Sequence, residues 1–102
     1  VAFLYQDKTW SLAPAYDLAY SYKPGSPWVN SHWMSLNGKR DYFTREDIYS
    51  LQSLSPLFSR KKLNGVIDEV CDSVSRWPTL AQEYGVPPSL VKEIQANLRL
   101  SL

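Results

Sequence analysis

The hydrophobic pattern of this sequence changes period once, at Thr44, and that change divides what the chain can fold into. Before it, Trp10 and Leu12 alternate with Ser11 and Ala13, the period-two pattern of a half-buried strand. After it, apolar residues return at steps of three and four, as they do on one face of a helix. The reading is α+β and mainly α: two short N-terminal β-hairpins followed by a bundle of three or four helices.

The first predicted hairpin pairs Ala2-Phe3-Leu4-Tyr5 with Trp10-Ser11-Leu12-Ala13 across the polar turn Gln6–Thr9. Pro14 ends it, since proline has no N–H for a ladder. The second pairs His32–Leu36 with Lys39–Phe43 around Asn37-Gly38, the dipeptide that suits a two-residue type I′ turn because both positions take positive φ. Between them, Tyr20–Ser31 reads as an ordered or semi-ordered loop rich in Pro, Gly and Ser.

In the helical half, Thr44 is placed to cap a first turn, with Asp47 three residues on as a short capping-box acid. Ile48, Leu51 and Leu54 follow at helical spacing, and Ser59 is the next cap. Leu63, Val66, Ile67, Val70, Val74 and Trp77 form a stripe that predicts one buried face. Pro78 kinks or ends that helix. A piece over 79–84 stops at Gly85, where a left-handed residue suits a helix C-terminus. Leu90, Val91, Ile94 and Leu98 form the inward face of a last helix opening at Pro88 or Ser89.

Composition narrows function by exclusion. Eleven Lys and Arg against ten Asp and Glu leave a net charge of +1, without the one-sided excess of a direct nucleic-acid binder. One cysteine excludes an internal disulfide framework and a Cys-rich zinc cluster. No apolar run approaches the ~18–20 residues of a membrane span, and no secretory leader opens the chain. The reading is a soluble, reducing, cytoplasmic setting away from membranes. With 102 residues, one domain over 1–102 is expected, and a start inside a strand at Val1 predicts a segment of a longer polypeptide.

Asp17 is the acidic residue that stands out. It follows a strand, a proline and an aromatic, and a carboxylate at a strand exit suits a hard cation such as Mg²⁺, which takes one or two carboxylates plus phosphate oxygens. The alternative is an Asp capping a helix that starts near Leu18. His32 is the only histidine and lacks a neighbouring ligand, so it reads as structural or surface. Cys71 beside the apolar stripe reads as a small buried hydrophobe. Arg60-Lys61-Lys62, at a helix start, reads as solvated surface or as a contact for phosphate or an acidic partner.

Trp10-Ser11-Leu12-Ala13-Pro14-Ala15-Tyr16-Asp17-Leu18 resembles the metal-binding segment of HipA-like serine/threonine kinases of toxin–antitoxin systems, in which a strand runs into apolar-Pro-x-Tyr-Asp-apolar. Met34-Ser35-Leu36-Asn37-Gly38-Lys39-Arg40 is similar to that family's apolar-x-apolar-x-Gly-Lys strand pair. The resemblance is strongest at 10–18 and 34–51 and weak after Trp77. It implies that Asp17 binds the Mg²⁺ bridging ATP phosphates, with Tyr16 and Pro14 as site support. It implies hairpins and a metal-binding loop over 1–43, a helical part over 44–102, and together the C-terminal part of a kinase large lobe.

The family's catalytic loop, phosphate-covering loop and nucleotide-binding Lys have no counterpart in these residues. No catalytic residue is therefore assigned here, and Mg²⁺ and ATP are expected only in the intact kinase. Implied partners are the N-terminal kinase portion, an antitoxin with a helix-turn-helix DNA-binding part, and a protein substrate of the aminoacyl-tRNA synthetase class. The aromatics Trp10, Tyr16, Tyr20, Tyr22, Trp28 and Trp33 read as hairpin core, as contacts to the upstream lobe, or as a binding face in which Trp28 and Tyr22 touch a partner. That last reading makes the chain a non-catalytic helical interaction module. A remnant of a broken gene is the third reading.

Overall fold

The computed structural model describes residues 1–102. Its regular elements are strands β1 (Phe3–Gln6) and β2 (Thr9–Leu12), then helices α1 (Arg45–Tyr49), α2 (Arg60–Ser75), α3 (Trp77–Glu83) and α4 (Pro88–Asn97). A 3-10 turn, Ser50–Ser53, extends α1. The α+β, mainly helical architecture agrees with the change of period at Thr44.

β1 and β2 pair antiparallel, with Phe3 opposite Leu12 and Gln6 opposite Thr9. The turn is tighter than the sequence pattern implies. Asp7 and Lys8 both take positive φ, 52° and 60°, so a two-residue turn brings Gln6 and Thr9 into the ladder. Every residue of both strands is exposed. A two-stranded hairpin is marginal in water without a covered face.

The second hairpin is reduced to its turn. Asn37 and Gly38 take the expected positive φ, 50° and 76°, but only the Leu36–Lys39 bridge forms. Two local features stop the ladder, beside a turn in which the Asp41 carboxylate accepts the Tyr42 N–H at 2.8 Å. Tyr42 itself turns to φ 51°. The His32 N–H donates to the Arg40 carbonyl at 3.1 Å, out of register with the Leu36–Lys39 bridge.

The helix boundaries follow local chemistry. The Thr44 side chain accepts the Asp47 N–H, and the Asp47 carboxylate accepts the Thr44 N–H, a closed capping box. The Ser59 hydroxyl accepts the Lys62 N–H at α2. α2 ends before Trp77, and Pro78 falls in the first turn of α3, where its missing N–H is harmless. Gly85 closes α3 with φ 68°.

α1 packs on α2, and α3 packs on α4. Leu63 and Ile67 are buried in the first pair and Ala81 and Ile94 in the second, with Asp47 the one buried charge. The expected single buried face of α2 is therefore split: Val66 and Val70, on the same stripe, stay 50% and 55% exposed. α4 behaves similarly, burying Ile94 but leaving Leu90 exposed.

The folded chain exposes 8573 Å², where a folded monomer of this mass exposes about 5,900 Å². Its radius of gyration, 16.4 Å, exceeds the roughly 13 Å usual for this length. Phe3, Trp10, Leu12, Trp28, Trp33 and Met34 are all largely exposed. Apolar surface on this scale is what contact with further protein covers.

The C-terminal tail is tied back by polar contacts. Arg45 donates through Nε to the Leu102 backbone oxygen at 3.0 Å and through its other nitrogens to Asn64 and Asp68. Arg99 pairs with Asp41. Arg45→Ala is expected to lower the backbone order parameters of residues 98–102 without unfolding α2; unchanged values there would show that the tail is held by other contacts.

Candidate functional site

Asp17 lies in an irregular run that leaves β2 at Ala13, where the Ala13 N–H donates to the Ala2 carbonyl at 3.0 Å and extends the hairpin by one pair. Asp17 is exposed and takes φ 51°, a left-handed conformation that Asp and Asn tolerate better than other side-chain-bearing residues. No helix starts near Leu18, so Asp17 caps nothing. The ion pairs of the molecule join Lys39 to Asp47, Arg45 to Asp68, Arg60 to Glu46 and Arg99 to Asp41; Asp17 is in none of them. Tyr16 and Pro14 beside it are exposed as well.

No three His, Cys, Asp or Glu side chains converge anywhere in the chain. Asp17 thus offers a single carboxylate with no internal partner. That donor set fits a share in a Mg²⁺ site whose remaining ligands are phosphate oxygens, water and one further protein group from outside these residues.

Tyr22 and Trp28 are brought together. Both line a cavity of about 420 Å³ with His32, Trp33, Asp41 and Arg99. Trp28 is 72% exposed, while Tyr22 is half-buried. Trp33 donates its indole N–H to the Trp28 carbonyl at 2.9 Å. The Arg99 guanidinium lies 4.6 Å from the Tyr42 ring centroid and 5.9 Å from that of Tyr22, within reach of a cation–π contact. Pro14, Tyr16 and Asp17 do not line this cavity. His32 is exposed, its ring 5.5 Å from that of Phe43. Cys71 is half-buried, short of the full burial expected of it. Arg60 is engaged, paired with Glu46 at 3.0 Å and lying 4.4 Å from the Tyr49 ring centroid.

The strongest electrostatic centre is Asp47, only 2% exposed. Its carboxylate accepts from Asn37 Nδ2 at 2.9 Å, Lys39 Nζ at 2.7 Å, the Thr44 N–H at 2.8 Å and the Thr44 hydroxyl at 2.9 Å. Lys39, then Asn37 and Thr44, hold its carboxyl far below the usual carboxylate range. The capping role was legible from spacing, but the Asn37 and Lys39 partners were not. They meet Asp47 because the Asn37-Gly38 turn folds back onto the start of α1. Asp41 and Arg99, separated by the whole helical half, form a second such link, and Arg99 holds the Asp41 carboxyl below its ordinary value. No local signal joins residues so far apart.

The turn makes a measurable contribution. A Cβ at Gly38 would meet nothing within 4 Å, so Gly38→Ala is a pure backbone test. At φ 76° it is expected to destabilise by about 1–2 kcal/mol, read as a lower urea midpoint at constant slope. No loss would mean that the left-handed turn does not persist in solution.

Residues 1–78 match the family model described as the HipA-like C-terminal domain. Neither the curated proteins nor the solved structures compared contain a match to this chain.

Proposed function

The chain belongs to the HipA-like C-terminal domain family, and from that premise we propose that it is the C-terminal part of a HipA-like serine/threonine kinase lobe, contributing Asp17 as a Mg²⁺ ligand and the helices as scaffold. The observation that carries the reading is Asp17 itself. It is an exposed carboxylate without an internal partner, placed just after a hairpin and inside the family-matched residues. When bound, Mg²⁺ supplies charge neutralisation across the ATP phosphates.

This chain's own contributions are narrower. Asp17 presents a carboxylate oxygen, and its left-handed backbone sets the direction in which that carboxylate leaves the hairpin. The large exposed apolar surface of the hairpin and aromatic loop gives the rest of the lobe a face to pack on. Base, phosphate-covering loop and nucleotide-binding Lys come from that other portion, so the chain by itself transfers no phosphate. The phosphate acceptor is a protein Ser or Thr.

The test is phosphate transfer from ATP by this segment joined to the catalytic-loop portion of the lobe, with Asp17→Asn as the deciding substitution. Full activity in that variant ends the reading.

A second reading, a non-catalytic interaction module, is favoured by the 72% exposure of Trp28 above the aromatic cavity. Under it, the partner is an antitoxin or the kinase's other portion. Trp28→Ala then abolishes binding by the isolated chain, while Asp17→Asn leaves binding intact.

A further inference from the structure

We propose that the groove along α2 is a docking site for an amphipathic helix of a protein partner, acidic at the end that lies beside the α2 N-terminus. The inference does not depend on Asp17 or on phosphate transfer.

The groove has a volume of about 480 Å³, and 11 of its 13 lining residues are hydrophobic. Ile48 from α1, Phe58 from the connection and Leu100 from the tail border it, and Val66, Val70 and Val74 run along it. Val66 and Val70 are half exposed at positions where the stripe alternates with buried Leu63 and Ile67. A ridge of β-branched side chains at steps of four, open on one side, is the surface into which a second helix sets its own ridges. From Leu63 to Val74 the groove follows α2 for about 16 Å, or three helical turns. Its occupant is then a helix of similar length presenting apolar anchors at i, i+3, i+4 and i+7.

Charge selects among such helices. The two lining residues that are not hydrophobic, Lys62 and Arg99, are both cationic. Arg99 is neutralised by Asp41, but Lys62 enters none of the molecule's ion pairs. Lys61 beside it is likewise outside them. The first turn of α2 holds no acidic residue, so the positive end of its dipole adds to these charges. A helix with carboxylates at that end gains attraction there, and one with lysines is repelled.

The experiment is fluorescence anisotropy on the full 102-residue chain with two synthetic helical peptides of about 12 residues. They share one Leu/Ile face and differ only in carrying Glu or Lys at one end. The Glu peptide is expected to bind at least tenfold more tightly than the Lys peptide, with the difference shrinking as salt rises. Val66→Glu, at a site exposed enough to leave folding intact by circular dichroism, should abolish binding. Lys62→Glu should abolish the preference between the peptides, and an undiminished preference overturns the proposal. Equal binding of both peptides, binding of neither, or binding indifferent to Val66→Glu overturns the proposal. So does a dimer in sedimentation equilibrium that Val66→Glu dissolves, because the groove would then belong to a second copy of this chain.

Discussion

Asp47→Ala is expected to lower the midpoint of thermal unfolding by roughly 8 °C or more, a large change for a domain of this size. One carboxylate accepts four hydrogen bonds, from the side chains of Asn37 and Lys39 and from the backbone and hydroxyl of Thr44. Its removal uncaps α1, which has only five residues, and leaves the Asn37 amide and the Lys39 ammonium without their acceptor. Asp47→Asn keeps an acceptor oxygen and should cost less. If the pair with Lys39 contributes, Lys39→Met and Asp47→Asn together will cost less than the sum of the two alone. A midpoint within about 2 °C of the parent for Asp47→Ala would show that the turn and α1 are held by something else.

The same carboxylate imposes a pH dependence. Its folded-state pKa is depressed by Lys39, Asn37 and Thr44, whereas in the unfolded chain it titrates near 3.9. Below that value the unfolded state takes up a proton that the folded state still refuses. The stabilisation is therefore fully present above about pH 4 and is lost progressively as the pH falls toward the depressed folded value. Urea midpoints between about pH 4 and pH 2 should fall more steeply for the parent than for Asp47→Asn. Parallel slopes would contradict the hydrogen-bonded arrangement.

Asp17→Asn is expected to reduce phosphate transfer by roughly 100-fold or more in the joined kinase while leaving the thermal midpoint of this chain unchanged. The separation of the two effects makes the variant informative. Asp17 is exposed and outside every ion pair, so no fold energy rests on its charge. Asn tolerates the left-handed backbone that Asp17 occupies at φ 51°. A ligand to Mg²⁺, by contrast, loses its negative oxygen. Asp7 supplies the control. It too is exposed and left-handed, at φ 52°, but it sits at the tip of the hairpin turn. Asp7→Asn should leave transfer at the parent rate. Equal losses from both substitutions would point to general charge effects and away from a metal ligand.

Local chemistry is largely legible in the sequence. The caps at Thr44 and Ser59, the left-handed Gly38 and Gly85, and the helix break ahead of Pro78 each depend on groups within four residues of one another. Their hydrogen bonds and allowed dihedrals are nearly the same in any fold that contains them. The second hairpin keeps only its turn because Asn37-Gly38 specifies a turn but not the arms. The turned Tyr42 and the out-of-register His32–Arg40 hydrogen bond end the ladder after one bridge.

The α2 stripe shows the other limit. Period alone marked Val66 and Val70 as buried alongside Leu63 and Ile67, yet they stay half exposed. Amphipathicity states which face a helix would bury, whereas burial also requires something to lie against that face. α1 and the tail cover one side of the stripe and leave the other open.

The sequence by itself determined the two-part α+β order, the caps at Thr44 and Ser59 and the turn at Asn37-Gly38. Only the tertiary structure decided that Asp47 gathers Lys39 and Asn37, that Asp41 meets Arg99, and that α2 carries an open apolar groove with a cationic rim. The reason is the range of the forces. Dihedral preference and capping act over one helical turn, but partners far apart in the chain are chosen by where packing leaves each charge and each apolar face.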